Sequence, residues 1–129
     1  MLNDANNKNV TKFRSSPIIR KLETEGCLKE IEAALQGSVY ATVRNHKGDG
    51  FKFAFRDLFG GPNWEWSDTP LFPIWENCLA TKKGNVDAAY QYTARIAGFI
   101  LKNVLIKDRR TFKQHSGFGT QCYSWVNGD

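Results

Sequence analysis

Cysteine and histidine are scarce in this chain, and their scarcity limits the chemistry available to it. The three cysteines, Cys27, Cys78 and Cys122, are widely spaced, and the two histidines are His46 and His115. An odd cysteine count without a CxxC pair argues against a disulfide framework, and a tetrahedral zinc site needs more ligands at closer spacing. We therefore expect no metal, no cofactor, and three reduced thiols that pack as small apolar residues.

Long apolar runs are also lacking. The longest is a few residues, far short of the roughly 20 that span a bilayer, and residues 1–9 are polar without the apolar core of a signal sequence. These features predict a cytoplasmic protein that does not enter a membrane. The 41% of hydrophobic residues still suffice for a core. We expect a flexible N-terminal tail over residues 1–12 and a single domain over residues 13–129.

The net charge of +5 is concentrated in one part of the chain. Basic and acidic residues nearly balance within residues 1–37 and within residues 38–81. Residues 82–113, in contrast, carry eight basic side chains and two acidic ones, Asp87 and Asp108. A local positive field of this kind attracts phosphate backbones or acidic protein surfaces. The expected partner is therefore a nucleic acid or an acidic protein surface.

Hydrophobic periodicity predicts a helical region near the N-terminus. Ser16 is placed to cap a helix that begins at Pro17, and an apolar stripe continues to about residue 36. Gly26 interrupts this stripe, so the alternative is two shorter helices, the second of them capped by Thr24.

Residues 38–59 support two interpretations. Apolar residues alternate on both sides of a glycine-containing turn at residues 46–50, which predicts a β-hairpin. The alternating residues are Val39, Ala41 and Val43 before the turn and Phe51, Phe53 and Phe55 after it. Alternatively, one face of a helix would carry Phe51, Phe55, Leu58 and Phe59. We favour strands up to Phe55.

The second half of the chain predicts two helices and a second hairpin. Asp68 or Thr69 can cap a helix that continues to about Lys82, and Asn85 caps a longer helix that ends at about Ile106. Residues 111–126 then form a hairpin. The predicted fold is a small α+β domain with an N-terminal helical region, a β-hairpin, two helices and a C-terminal β-hairpin.

Two helices followed by a hairpin is the order found in winged-helix domains. Residues 85–107 would be the recognition helix and residues 111–126 the wing. Glutamine and arginine on the polar face of that helix can read base edges, whereas lysine neutralises phosphates, and Gly98 would let the backbone approach DNA closely. The predicted nucleic-acid-binding residues are Gln91, Arg95 and Lys102 on the helix and Arg109, Arg110 and Lys113 at the base of the wing.

The most unusual stretch of the sequence lies between residues 57 and 71. It contains Asp57-Leu58-Phe59-Gly60-Gly61, Trp64, Trp66 and Thr69-Pro70-Leu71. Together with Ala89-Tyr90, Gly98, Leu101-Lys102, Val104-Leu105, Asp108, Arg110, Phe112 and Tyr123, it resembles a small uncharacterised winged-helix-like domain of bacterial and phage proteins. The resemblance covers about residues 55–126. It implies a fold and a setting of phage or mobile-element biology, and it transfers no catalytic residue.

A second interpretation starts from the tryptophans Trp64, Trp66 and Trp75, which lie within twelve residues. Tryptophans can stack on unpaired bases, anchor a protein interface, or pin a loop to the core. An interface would make the chain a protein-binding accessory factor or inhibitor, for example a phage protein that blocks a host or defence enzyme.

Catalysis has little support in the sequence. Cys122 and His115 could be drawn as a nucleophile and a base, but no orienting acid stands near them in the sequence. The leading hypothesis is therefore a small, non-enzymatic nucleic-acid-binding protein, with duplex DNA ahead of RNA. If it binds DNA as a two-fold homodimer, residues 13–36 are the expected dimerisation element.

Overall fold

The structure, a computed structural model, describes residues 1–45, 51–58, 68–115 and 121–126. It is a small α+β domain, as the sequence predicts. The helices in these residues are α1 (Pro17–Thr24), α2 (Leu28–Asn45), α3 (Phe72–Thr81) and α4 (Val86–Lys107), with a short 3-10 helix at Phe55–Asp57. None of the described helices is both long and apolar enough to cross a membrane.

Among the described residues, five short strands form one sheet. They are β1 (Leu2–Asn3), β2 (Asn9–Val10), β3 (Lys52–Phe53), β4 (Phe112–His115) and β5 (Cys122–Trp125), in the spatial order β2-β1-β4-β5-β3. β1 is parallel to β4, and the other neighbouring strands are antiparallel. A parallel pair needs a crossover connection, and here all four helices lie between β1 and β4 in the chain.

The N-terminal segment is part of this sheet rather than the flexible tail that the sequence predicts. Leu2 is fully buried and pairs with Phe112 of β4. The connection to β2 is closed by Asp4, whose Oδ1 accepts hydrogen bonds from the backbone N–H groups of Asn6 (2.8 Å) and Lys8 (2.9 Å). Because a two-residue strand buries a single large side chain, it leaves no periodic pattern in the sequence.

The N-terminal helical region consists of two helices, as the alternative interpretation has it. Ser16 caps α1 as predicted, since its Oγ accepts a hydrogen bond from the Ile19 N–H at 3.1 Å. Gly26 has a φ of +80° between the helices, a conformation that favours glycine. The cap assigned to Thr24 is wrong, because its hydroxyl donates to the Arg20 carbonyl oxygen within α1.

The first strand of the predicted hairpin is wrong, because α2 continues through residues 39–45. Val39 and Val43 are buried in register with Ile31 and Leu35, four residues apart along one face of the helix, whereas Ala41 is exposed. A strand would have placed residues 39, 41 and 43 on the same face. Burial of the longer helical stripe therefore overrides the local alternation.

Beyond α2, the predicted turn at residues 46–50 lies outside the described residues. Phe53 does lie in a strand, as predicted, but β3 pairs with β5 and not with the segment before the turn. Phe55 begins the 3-10 helix instead of extending the strand. The Asp57 carboxylate stabilises that helix by accepting a hydrogen bond from the Ala54 N–H at 2.7 Å.

The elements of the second half are confirmed. Asn85 caps α4, with its Oδ1 accepting from the Ala88 N–H at 3.1 Å. The cap assigned to Asp68 or Thr69 is wrong, because α3 begins at Phe72 with Leu71 at the N-cap position, and the Thr69 hydroxyl oxygen accepts from the Leu71 N–H at 3.2 Å. β4 and β5 pair antiparallel from Phe112↔Trp125 to His115↔Cys122, and residues 116–120 between them lie outside the described residues.

The core lies between the sheet and the helices, and it fixes which face of α4 reaches solvent. Phe53 contacts Phe112 and Tyr123 on the inner face of the sheet, with ring centroids 6.3 Å and 6.0 Å apart. Ile96 and Ile100 of α4 belong to the same buried cluster. α4 also contacts the 3-10 helix. These contacts leave the polar side of α4 beside the 3-10 helix and the segment before α1.

Candidate nucleic-acid interface

A pocket of about 520 Å³ lies along the polar side of α4. Its wall carries four basic side chains from three parts of the chain: Arg14 before α1, Arg56 from the 3-10 helix, and Arg95 and Lys102 from α4. Among the described residues, no aspartate or glutamate lines it. We call this feature the basic pocket.

The spacing of residues along α4 brings part of the basic pocket together. Arg95, Gly98 and Lys102 are separated by three and four residues, which places them on one side of a helix. Gly98 leaves the backbone open between the two cations, since a Cβ atom there would meet no described atom within 4 Å apart from the adjoining backbone of its own helix. A ligand can therefore reach the helix backbone between Arg95 and Lys102.

Arg14 is held in place although it lies outside regular secondary structure. The side chain of Asn103 accepts a hydrogen bond from the Arg14 N–H at 2.7 Å and donates one to the Arg14 carbonyl oxygen at 2.8 Å. The guanidinium carbon of Arg14 then lies 4.2 Å from the centroid of the Phe99 ring. Both Asn103 and Phe99 belong to α4, so this helix positions a cation from a distant part of the chain.

The positive charge of the basic pocket is not neutralised by the described residues. The salt bridge found among them joins Lys107 to Glu32 and lies elsewhere. Burial lowers the pKa of the Lys102 ammonium, and the nearby charge of Arg14 lowers it further. Like charges held together in a partly dry site raise the free energy of the empty pocket, and an anion bound there would reduce that repulsion.

A neighbouring pocket of about 660 Å³ shares Arg14 but differs in charge. Its lining includes the carboxylates of Glu23 and Glu32 as well as several basic side chains. Acidic groups in the wall repel phosphate and can pair with the cations. The basic pocket is therefore the better anion site, although it is the smaller of the two.

The structure separates the six predicted binding residues. Arg95 and Lys102 line the basic pocket, whereas Gln91 is exposed on α4 one turn earlier and does not line it. Arg109 is exposed just after α4, and Lys113 lies in β4. The residues missed by the sequence reasoning are Arg14 and Arg56, which lie in parts of the chain with nearly balanced charge.

The Arg110 side chain packs against two aromatic rings of the fold. Its guanidinium carbon lies 4.4 Å from the centroid of the Tyr40 ring and 4.9 Å from that of Trp125. Its Nη1 is buried and has no hydrogen-bond partner among the described residues. The Tyr40 hydroxyl lies 2.8 Å and 2.9 Å from the two carboxylate oxygens of Asp108, a buried residue that also accepts from the Arg110 N–H. Burial raises the pKa of Tyr40, and the hydrogen bond to Asp108 raises it further.

Replacing Arg110 with alanine is therefore expected to lower the free energy of unfolding by about 1–3 kcal/mol, because two cation–π contacts are lost. The matched control is Arg109→Ala, which removes an exposed neighbour of the same type and should change stability by less than about 0.5 kcal/mol. Urea unfolding followed by circular dichroism measures both values. Equal effects of the two substitutions would contradict the structural role of Arg110.

Lys113 belongs to a polar row that crosses the sheet. Ser124 of β5 lies between Lys52 of β3 and Lys113 of β4 in the strand register. His115 lies opposite Cys122 on β5, yet its Nε2 is 2.8 Å from the Ser124 Oγ. Burial lowers the pKa of His115, and Lys52 and Lys113 lower it further.

This pKa shift predicts a pH dependence of stability. The folded-state pKa of His115 lies below the ordinary value of 6.5, so the unfolded chain takes up this proton first, and stability falls as the pH drops through the window below 6.5. We expect the stability of the wild type relative to His115→Gln to decrease between about pH 7.5 and about pH 5.5. Urea unfolding of both proteins measures this difference, and His46 is common to both. A difference that stays constant or grows towards acid would contradict the prediction.

The protein-binding interpretation depends on three tryptophans, of which Trp75 alone lies within the described residues. Trp75 is half-buried on α3, and its ring packs edge-to-face against Tyr90 with centroids 6.4 Å apart. Trp64 and Trp66 lie outside the described residues. Tyr90 is 43% exposed, so one side of this aromatic pair faces solvent.

The described residues offer no metal site in addition to the basic pocket. Within the described ranges, no three His, Cys, Asp or Glu side chains are grouped so that they could hold a metal ion. Cys27, Cys78 and Cys122 are free thiols, and burial raises the pKa of Cys78.

In comparisons with known proteins, the chain gives no significant match to a protein-family model, a curated protein or a solved structure.

Proposed function

We propose that this chain is a small nucleic-acid-binding protein of the cytoplasm that acts without catalysis, and that duplex DNA is its first ligand. The observation that carries the proposal is the basic pocket, in which Arg14, Arg56, Arg95 and Lys102 converge without an acidic residue among the described part of the lining. Phosphate contacts supply most of the affinity of sequence-independent nucleic-acid binding. A wall of arginines suits phosphate oxygens, because the guanidinium group offers several donors in a fixed geometry.

Other charged residues between 82 and 113 lie outside the basic pocket. Asp108, one of the two acidic residues between 82 and 113, is 5% exposed and hydrogen-bonded to Tyr40, and it does not line the basic pocket. Arg109 is exposed beyond the end of α4 and Lys113 lies on the polar row of the sheet. These two residues remain proposed contacts with flanking phosphates, as does Gln91 on α4. The winged-helix interpretation of residues 55–126 remains a prediction.

The protein-binding alternative has less support in the described residues. It requires tryptophans that a partner can reach, and Trp75 is half-buried against Tyr90. An acidic protein surface could also meet the basic pocket. Added salt would weaken such a complex as well, so direct titration with DNA is the decisive measurement.

The test is fluorescence anisotropy with a labelled blunt duplex of random sequence and a labelled single strand of the same length, at low and at physiological salt. Binding in the micromolar range that weakens steeply with salt is expected, because each neutralised phosphate releases a counterion. Absence of binding to either nucleic acid at low salt would overturn the proposal. The basic residues would then form an ordinary solvated surface.

A further inference from the structure

We infer that the basic pocket accepts one unpaired nucleotide, so that the preferred ligand is a duplex with a single-stranded overhang and not a blunt duplex. The inference rests on the proposed function and names the ligand of the same site. It is carried by two kinds of side chain in one lining: the cations described above, and the aromatic rings of Phe55, Phe99 and Tyr123.

The shape of the site favours a nucleotide over a continuous duplex. A helix that reads a major groove projects from the protein surface into that groove. In this chain the polar side of α4 lies in a concavity, because Arg56 and Phe55 from the 3-10 helix and Arg14 from the segment before α1 form the opposite walls. Its volume of about 520 Å³ lies in the range of about 300–1,000 Å³ that is typical of pockets for small ligands.

The cations and the aromatic rings of the basic pocket are positioned to contact different parts of a nucleotide. Arg56 and Arg95 are exposed at the pocket, where they can meet a phosphate. Arg14 lies over the Phe99 ring and is itself exposed, so the side of its guanidinium group that faces away from Phe99 can stack on a base. The apolar part of the lining suits the flat faces of a base, which a phosphate lacks.

Gln121 adds a group that can recognise a base edge. It lines the basic pocket, and its Nε2 donates to the His115 carbonyl oxygen at 2.7 Å. This hydrogen bond orients the side-chain amide and leaves Oε1 as an acceptor. The Tyr123 hydroxyl is a phenol that is protonated at neutral pH, and burial raises its pKa further. The interior therefore offers polar groups without negative charge.

Gly98 provides a direct test, because a side chain at this position would occupy the pocket. A Cβ atom there meets nothing within 4 Å, and Gly98 lies in the interior of α4, so Gly98→Leu should preserve the fold and favour the helix. The matched control is Gly37→Leu in α2, where a Cβ atom also meets nothing within 4 Å and which does not line the basic pocket.

The experiment compares the wild type and both variants in anisotropy titrations with a blunt duplex and with the same duplex carrying a short 3′ or 5′ overhang. We expect the wild type and Gly37→Leu to bind an overhang ligand about tenfold more tightly than the blunt duplex, which corresponds to stacking of one base. Gly98→Leu should lose this preference and bind the two ligands with equal affinity, whatever its effect on duplex binding itself. A nucleoside monophosphate should displace the overhang ligand more effectively than inorganic phosphate at the same concentration.

The possible failures are distinguishable. If the wild type binds blunt and overhang duplexes equally, the inference is overturned while the proposed function stands. The same holds if Gly98→Leu retains the preference for an overhang, or if inorganic phosphate competes as well as the nucleotide. If neither ligand binds at low salt, the proposed function itself is overturned. Thermal unfolding of each variant confirms that the compared proteins are folded.

Discussion

Replacing Leu2 with alanine is expected to lower the free energy of unfolding by about 2–5 kcal/mol, the range for truncating a fully buried leucine. Leu2 has no exposed surface and lies in β1, between β2 and β4. The substitution leaves a cavity where the sheet meets the core, and neighbouring residues can fill it only in part. Urea unfolding followed by tryptophan fluorescence measures the loss.

Phe13→Ala is the control for Leu2→Ala. Phe13 also lies in the N-terminal part of the chain and is apolar, but it is 51% exposed, so its truncation should change stability by less than about 1 kcal/mol. A small effect at both positions would mean that β1 frays from the sheet in solution. The N-terminal residues would then behave as the flexible tail that the sequence alone suggests.

Removing Arg95 and Lys102 together is expected to weaken binding to duplex DNA at low salt about a hundredfold. The estimate takes about 1.5 kcal/mol for each charged hydrogen bond to phosphate. The slope of log K against log salt should become shallower by about 2, because two phosphate contacts disappear. Anisotropy titrations over a series of salt concentrations measure both quantities.

The control for this double substitution removes the same charges from another surface. Lys21→Ala with Arg44→Ala deletes one lysine and one arginine that are exposed on α1 and α2. We expect the salt slope of this control to stay close to that of the wild type. If both double variants lose affinity equally, net charge rather than the basic pocket governs binding.

Stability separates loss of binding from loss of structure in the Arg95→Ala/Lys102→Ala protein. Alanine favours helix at both positions, and the substitution removes the repulsion between Lys102 and Arg14. The thermal midpoint should therefore not fall below that of the wild type. Weaker binding by an equally stable protein then reports on the contacts themselves.

Local signals in the sequence predict the elements whose capping and periodicity agree. Asn85 caps α4 and Ser16 caps α1 as expected, and β4 pairs with β5 within the segment that alternation predicts. Each of these features depends on residues a few positions apart. A single sequence is sufficient to recognise them.

The errors in the predicted fold come from contacts that are distant in sequence. Val39 and Val43 alternate as a strand would, but packing against the core selects the helical stripe that they share with Ile31 and Leu35. Leu2 belongs to the sheet through its pairing with Phe112, which is 110 positions away in the sequence. Residues so far apart leave no periodic pattern, and tertiary packing decides between the local options.

In the candidate site, too, the residues that are close in sequence could be predicted, whereas those that are distant in sequence could not. The spacing of Arg95, Gly98 and Lys102 predicts a shared helix face, and these three residues do line the basic pocket. Arg14 and Arg56 complete it only through the fold, one held by Asn103 and the other carried by the 3-10 helix. Conversely, the local clustering of charge around residues 109–113 cannot reveal that Arg110 lies between two aromatic rings.

The parallel pairing of β1 with β4 also determines the order in which the sheet is assembled during synthesis. Phe112, the partner of Leu2, is translated about 110 residues later, which takes on the order of 5–20 s on the ribosome. The hairpin of β1 and β2 emerges first, but it has no neighbouring strand to join until the helices and β4 have been made. Within this sheet, β1 is therefore made before β4 yet is among the last strands to be incorporated, and Leu2 lacks its partner strand during that interval.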